Sequence, residues 1–103
     1  MIYTDDLLAD TAVFTSDPMA VGNADEIYGT VYSDQDATFT VEFAWAHAPT
    51  TWDAIASETY ASGSKNGYRY PIYGDWVRVV FTNGAVTQTE FRLTFKHRLL
   101  GRK

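Results

Sequence analysis

Cysteine is absent from this chain, which removes disulfides and thiolate metal sites and leaves the redox compartment undetermined. A chain of 103 residues does not need such staples, because a single domain of that size buries about 65% of the surface its unfolded form exposes. Long apolar runs are absent too. MIYTDDLLAD at the N-terminus carries acids where a secretory leader carries positive charge, and no stretch is long enough to span a bilayer. The expectation is a soluble chain with no membrane partner. Positive charge is missing from most of the sequence, since the first base is Lys65. Residues 1–64 hold eleven acids and no base, and residues 65–103 hold eight bases and two acids, for a net charge of −5. That balance argues against nucleic acid as a partner, since a phosphate backbone would face a largely acidic surface. Two readings of the asymmetry stand side by side. Folding interleaves the halves and cancels it, or charged chain ends meet a complementary partner.

Aromatic residues make up 16% of the chain and charged residues 20%, a composition that with its Thr, Val and Tyr suits strands. EIYGTVY (26–32) alternates, placing Ile27 and Val31 on one face and Tyr28 and Tyr32 on the other. FTVEFAW (39–45) puts Phe39, Val41, Phe43 and Trp45 inward. AVFTS (12–16), YRYPIY (68–73), WVRVVFT (76–82) and TEFRLTF (89–95) read as further strands, and WDAIASETY (52–60) as a strand or a helical turn. SDQD (33–36), HAPTT (47–51) and ASGSKNG (61–67) carry turn chemistry. Seven or eight short strands at this spacing predict an all-β fold, a two-layer antiparallel β-sandwich. Residues 1–10 read as an N-terminal arm, 11–97 as the sandwich and 98–103 as a basic tail.

The segments 76–82 and 89–95 read as a last hairpin around Asn83-Gly84. Val77, Val79 and Phe81 must share the core face with Phe91, Leu93 and Phe95. Directly opposed residues share a face, so the connection is expected to have an odd number of residues or a corrective bulge.

GTVYSDQDATFTVE (29–42), Trp52-Asp53 and VRVVFTNGAVTQTEFRL (77–93) resemble the small β-sandwich modules of tailed-phage virion proteins. Those modules read as an SDQDGT-type turn, an LxVE strand, a WD pair and VRVxYTNGxxxQTxFRL. Ala37 stands where the pattern prefers Gly, and AWAHAPTT (44–51) replaces its polar Asp-Gly-Thr segment. The resemblance implies a structural component of a virus particle and no catalysis. The partners it implies are the major capsid protein or other virion proteins, with the chain present in many copies or as a homo-oligomer, on the virion.

Motifs for chemistry are few. His47 and His97 are 50 residues apart and form no zinc spacing. Asp34 and Asp36 have an Asp-x-Asp spacing but lack the glycine and distal glutamate of an EF-hand, so turn stabilisation is the better reading. No nucleophile elbow or phosphate-binding glycine loop occurs. No catalytic residue, metal or cofactor is expected. Candidate interface residues are the apolar and basic side chains of the two ends: Ile2, Tyr3, Leu7 and Leu8, then Arg98, Leu99, Leu100, Arg102 and Lys103. The crowded aromatics Tyr68, Tyr70, Tyr73 and Trp76 form an alternative, a platform for a sugar ring. The leading expectation is therefore a capsid decoration or head-accessory protein. A tail or fibre module, or a carbohydrate-binding module, is the alternative.

Overall fold

The computed structural model describes residues 1–45 and 50–99. It is all β, with nine strands: β1 (Ile2–Thr4), β2 (Val13–Thr15), β3 (Met19–Ala20), β4 (Glu26–Ser33), β5 (Ala37–Ala44), β6 (Asp53–Tyr60), β7 (Gly67–Pro71), β8 (Trp76–Asn83) and β9 (Phe91–Arg98). They form two antiparallel sheets. One has the order β1-β9-β4-β7, the other β2-β8-β5-β6 with β3 also on β8. The predicted sandwich is present, and residues 52–60 resolve in favour of a strand.

Period-two alternation explains the core. Phe39, Val41 and Phe43 of β5, Val77, Val79 and Phe81 of β8, and Phe91, Leu93 and Phe95 of β9 are all buried, as their alternation predicts. Ile27 and Val31 of β4 join them, and Tyr28 and Tyr32 lie on the opposite face, half-buried. The sheets meet ring to ring, with Phe81 and Phe91 centroids 4.7 Å apart and those of Phe39 and Phe95 6.3 Å apart. Trp45 departs from expectation. β5 ends at Ala44, whose carbonyl accepts the Asp75 N–H, and Trp45 beyond it is 68% exposed.

β8 and β9 do not form a hairpin. They lie in different sheets, β8 beside β5 and β9 beside β4, so the odd-numbered connection expected between paired strands has no counterpart. Residues 84–90 instead cross from one sheet to the other. Two buried amides fix that crossing. The Asn83 side-chain NH₂ lies 3.2, 2.9 and 2.9 Å from the carbonyls of Leu8, Ala9 and Val86. Gln88 is 1% exposed; its Oε1 accepts the Leu8 N–H at 2.8 Å, and its Nε2 donates to the Ser33 hydroxyl at 3.1 Å. The Gly84 N–H donates to the Asp36 carbonyl, so the Asn-Gly pair serves the crossover and not a two-residue turn.

Residues 1–10, expected to lie outside the sandwich, are woven into it. Ile2–Thr4 is an edge strand, Ile2 opposite Phe95 and Thr4 opposite Leu93. Ile2 is buried, Leu8 packs against the core, and the Leu8 carbonyl accepts the Gln88 N–H. The other edge of β8 is lined by β2 and β3, one strand interrupted at Ser16-Asp17-Pro18. Proline cannot donate to a ladder, and the buried Ser16 hydroxyl accepts the Val79 N–H where the strand breaks.

Candidate functional site

The outer face of the four-stranded sheet gathers what the sequence scatters. On β4, Tyr28, Thr30 and Tyr32 point outward, because Ile27 and Val31 point in. In register, Thr30 lies between Thr94 of β9 and Gly67 of β7, and Thr94 is opposite Tyr3 of β1. One step along the strands, Tyr28 lies between Lys96 and Arg69. One step the other way, Tyr32 is opposite Arg92, with Lys65 beside it just before β7. A trough thus runs across the strands. Its floor is Thr94, Thr30 and Gly67, one wall is Lys96, Tyr28 and Arg69, and the other is Arg92, Tyr32 and Lys65. Two depressions of about 480 and 290 Å³ occupy it and share the three floor residues.

Glycine shapes this sheet twice. At Gly29 a Cβ would strike the Thr94 carbonyl oxygen and come within 2.8 Å of a Phe95 ring carbon and 2.9 Å of the Phe95 Cα, so β4 and β9 approach too closely for any side chain. At Gly67 a Cβ would meet nothing nearer than the Gly29 carbonyl oxygen at 3.8 Å. The missing side chain there leaves the floor open.

Five of the eight bases of the chain border the trough: Lys65, Arg69, Arg92, Lys96 and Arg98. Arg98 donates to Glu26 at 2.5 Å and lies 4.2 Å from the centre of the Tyr28 ring. Arg92 donates to Glu90 at 2.8 Å, a bond that raises its pKa, and lies 4.7 Å from the Tyr32 ring centre. Lys65, Arg69 and Lys96 meet no carboxylate within 4.0 Å among the described residues. Charge interleaving therefore accounts for only part of the asymmetry. Glu42 pairs with Arg78 at 2.6 Å on the other sheet and Glu26 with Arg98 on this one, yet among the described residues three cations on a single face have no carboxylate partner.

The described members of the sequence-predicted interface set occupy different places in the fold. Ile2 is core and Leu8 is half-buried against it; Tyr3, Leu7 and Leu99 are exposed, and Arg98 is held by Glu26 and Tyr28. Leu100, Arg102 and Lys103, like His47, lie outside the described residues. The four aromatics of the sugar-platform reading stand on different faces of the molecule. Tyr68 and Tyr70 are opposite Gly29 and the buried Ile27, so they close the open side of the core. Tyr68 sets its ring edge-on to Phe39 at 4.9 Å. Tyr70 donates to Glu58 at 2.7 Å, and burial, then Glu58, pushes its pKa well up. Tyr73 is exposed, and Trp76 follows the opposite parity to Val77 on the outer face of the other sheet. Asp34 and Asp36 work as cross-links. Asp34 accepts bonds from the Thr89 hydroxyl and the Thr89 and Glu90 N–H groups, which hold its carboxyl down at about 2. Asp36 accepts the Ser62 N–H at 2.8 Å. Among the described residues no three His, Cys, Asp or Glu side chains converge on a metal position.

The trough has a sequence signal in two halves. Tyr28-x-Thr30-x-Tyr32 and Arg92-x-Thr94-x-Lys96-x-Arg98 each place large, small and large residues on one parity. Only pairing β4 with β9 aligns the two small residues.

Known proteins share this architecture. Among solved structures, the PBSX exported protein XepA superposes with a TM-score of 0.85 at 20% identity, over 100% of this chain and 38% of that one. PirA superposes at 0.63 with 11% identity, over 93% of each chain. A structure described as "CBM4 structure and function" superposes at 0.54 with 13% identity, over 93% of this chain and 71% of that one. At these identities the likeness is one of fold, and this chain spans little more than a third of the XepA chain. No curated protein matches it. A family model described as the N-terminal domain of the uncharacterised protein YqxG matches residues 1–98, and the chain belongs to that family.

Proposed function

We propose that this chain is a non-enzymatic accessory module of a phage-associated protein, and that it works by attachment through the trough to a negatively charged surface. One observation carries the reading: three cations without acidic partners among the described residues, flanked by two more and by tyrosines, border the two depressions of one sheet face. The fold shared with XepA, an exported protein of the phage PBSX, supports the phage association. Decoration of the capsid is the form of this reading in which the acidic surface belongs to a virion protein. A tail or accessory module that grips a ligand is the other. The trough favours the second, because a standard protein interface covers about 800 Å² per partner, whereas a groove one chain wide suits a thread-like ligand.

The test is sedimentation of the purified chain with phage particles from the encoding strain and with envelopes of its host, at low and at high salt. Saturable binding to either, abolished in Arg69→Glu/Lys96→Glu and weakened by salt, is expected. Binding that the charge reversal leaves unchanged, or no binding to either, overturns the proposal.

A further inference from the structure

The trough has a shape and a surface chemistry that narrow its occupant. Its walls stand on residues 28 and 32 of one strand, about 13 Å apart at a rise of roughly 3.3 Å per residue. Side chains from both walls therefore flank a single extended chain. The floor offers the hydroxyls of Thr30 and Thr94, each able to donate and to accept. Gly67 leaves the passage between the two depressions open toward the β7 edge. Each wall adds cations: Lys96 and Arg69 on one side, Arg92 and Lys65 on the other.

We infer that the trough binds an anionic polysaccharide, a polyhydroxylated chain with a carboxylate or phosphodiester in its repeat, laid across the strands over Thr94, Thr30 and Gly67. This rests on the reading of the trough as the working surface. Hydroxyls on the floor match hydroxyls on the ligand, and Lys65, Arg69 and Lys96, which meet no carboxylate among the described residues, match its acids. A neutral glycan leaves those cations unused. It also needs a row of open aromatic faces, whereas Arg98 and Arg92 lie over the rings of Tyr28 and Tyr32 at 4.2 and 4.7 Å and Tyr3, at the β1 end, is exposed. The same covered rings disfavour single-stranded nucleic acid, which binds by stacking bases on aromatic faces.

Calorimetric titration decides it, with polygalacturonate, poly(glycerol phosphate) teichoic acid, neutral dextran and oligo(dT) as probes. At least one acidic glycan is expected to bind, with affinity falling at least tenfold in Arg69→Gln/Lys96→Gln. Preference for polygalacturonate assigns the carboxylate, and preference for teichoic acid the phosphodiester. Gly67→Leu fills the floor without backbone strain, since Gly67 lies outside the left-handed region. It should block binding while the melting temperature stays within a few degrees; Thr30→Val serves as the second variant and should weaken binding with the fold intact. Failure of both acidic glycans, equal binding of dextran, tighter binding of oligo(dT), or indifference to Gly67→Leu and Thr30→Val together overturns the assignment. If the glycans fail while charge reversal still abolishes binding to particles or envelopes, the ligand class falls and attachment through the trough stands.

Discussion

Replacing Gln88 by methionine keeps its length and removes its amide, in a side chain that is 1% exposed. Two hydrogen bonds are lost, from the Leu8 N–H and to the Ser33 hydroxyl. Ser33 keeps its bonds with Gln35, so the penalty falls on Leu8. Each lost bond is worth about 1 kcal/mol net, and leaving a half-buried N–H without a partner costs about 1–3 kcal/mol more. Methionine packs well in irregular space and returns a fraction of that. The expected loss is about 2–4 kcal/mol, a large part of the stability of a domain this size, and a fall in melting temperature of about 10–25 °C. Urea denaturation monitored by tryptophan fluorescence measures it, and amide exchange at Leu8 should accelerate more than exchange in β5. A midpoint shift worth under about 0.5 kcal/mol would show that the amide does not fasten the crossover, and the account of why β8 and β9 part company would fail with it.

Deletion of residues 1–9 removes β1 and the Leu8 contacts, so it should lower stability by about 3 kcal/mol or more through uncovered apolar surface and unpaired β9 edge groups; a deletion variant that melts with the full chain refutes this. Gly29→Ala should abolish folding or cost several kcal/mol, because the atoms its Cβ meets include β9 backbone, and soluble expression with a native melting temperature is the contrary result. The Asp34 carboxyl is held at about 2, below its ordinary 3.8; a depressed folded-state value stabilises above the unfolded value, and the contribution is lost as pH falls through about 2. Wild type should therefore exceed Asp34→Asn in urea midpoint at pH 5 and converge on it between pH 4 and pH 2. A gap that does not change with pH assigns the Asp34 contribution to something other than its charge.

Alternation makes the core legible in the sequence alone. Phe39 to Phe43, Val77 to Phe81 and Phe91 to Phe95 each follow period two, and in a two-layer sandwich parity decides which side chains face in. Partnering is not legible. Asn83-Gly84 is a strong local turn signal, but pairing is set by distant groups: Gln88 binding Leu8 and Ser33, Asn83 binding Leu8 and Ala9. The N-terminal segment hides its role for a similar reason. Three residues of edge strand leave too short a pattern to distinguish from a frayed end, and Ile2 is placed in the core by its pairing with the distant β9. Trp45 continues a clean alternation one residue past the point where the strand stops. The charge asymmetry is visible, but its consequence depends on register, since the acid-rich first half supplies the tyrosines of β4 and the base-rich second half supplies both neighbouring strands.

The placement of β9 also sets the order in which the molecule can be made. β1 has β9 as its neighbour and β4 needs it along one whole edge, yet β9 is the last of these strands to be synthesised, after every strand of the opposite sheet. A nascent chain can pair β5 with β6 and β8 early, while Ile2, Ile27 and Val31 wait without cover until residues 91–98 leave the ribosome. Such long-range closure is slow and leaves apolar edges open to misassembly in the interval. The trough, whose floor and walls both draw on β9, comes into being in that final step, so chains terminated before residue 91 lack it.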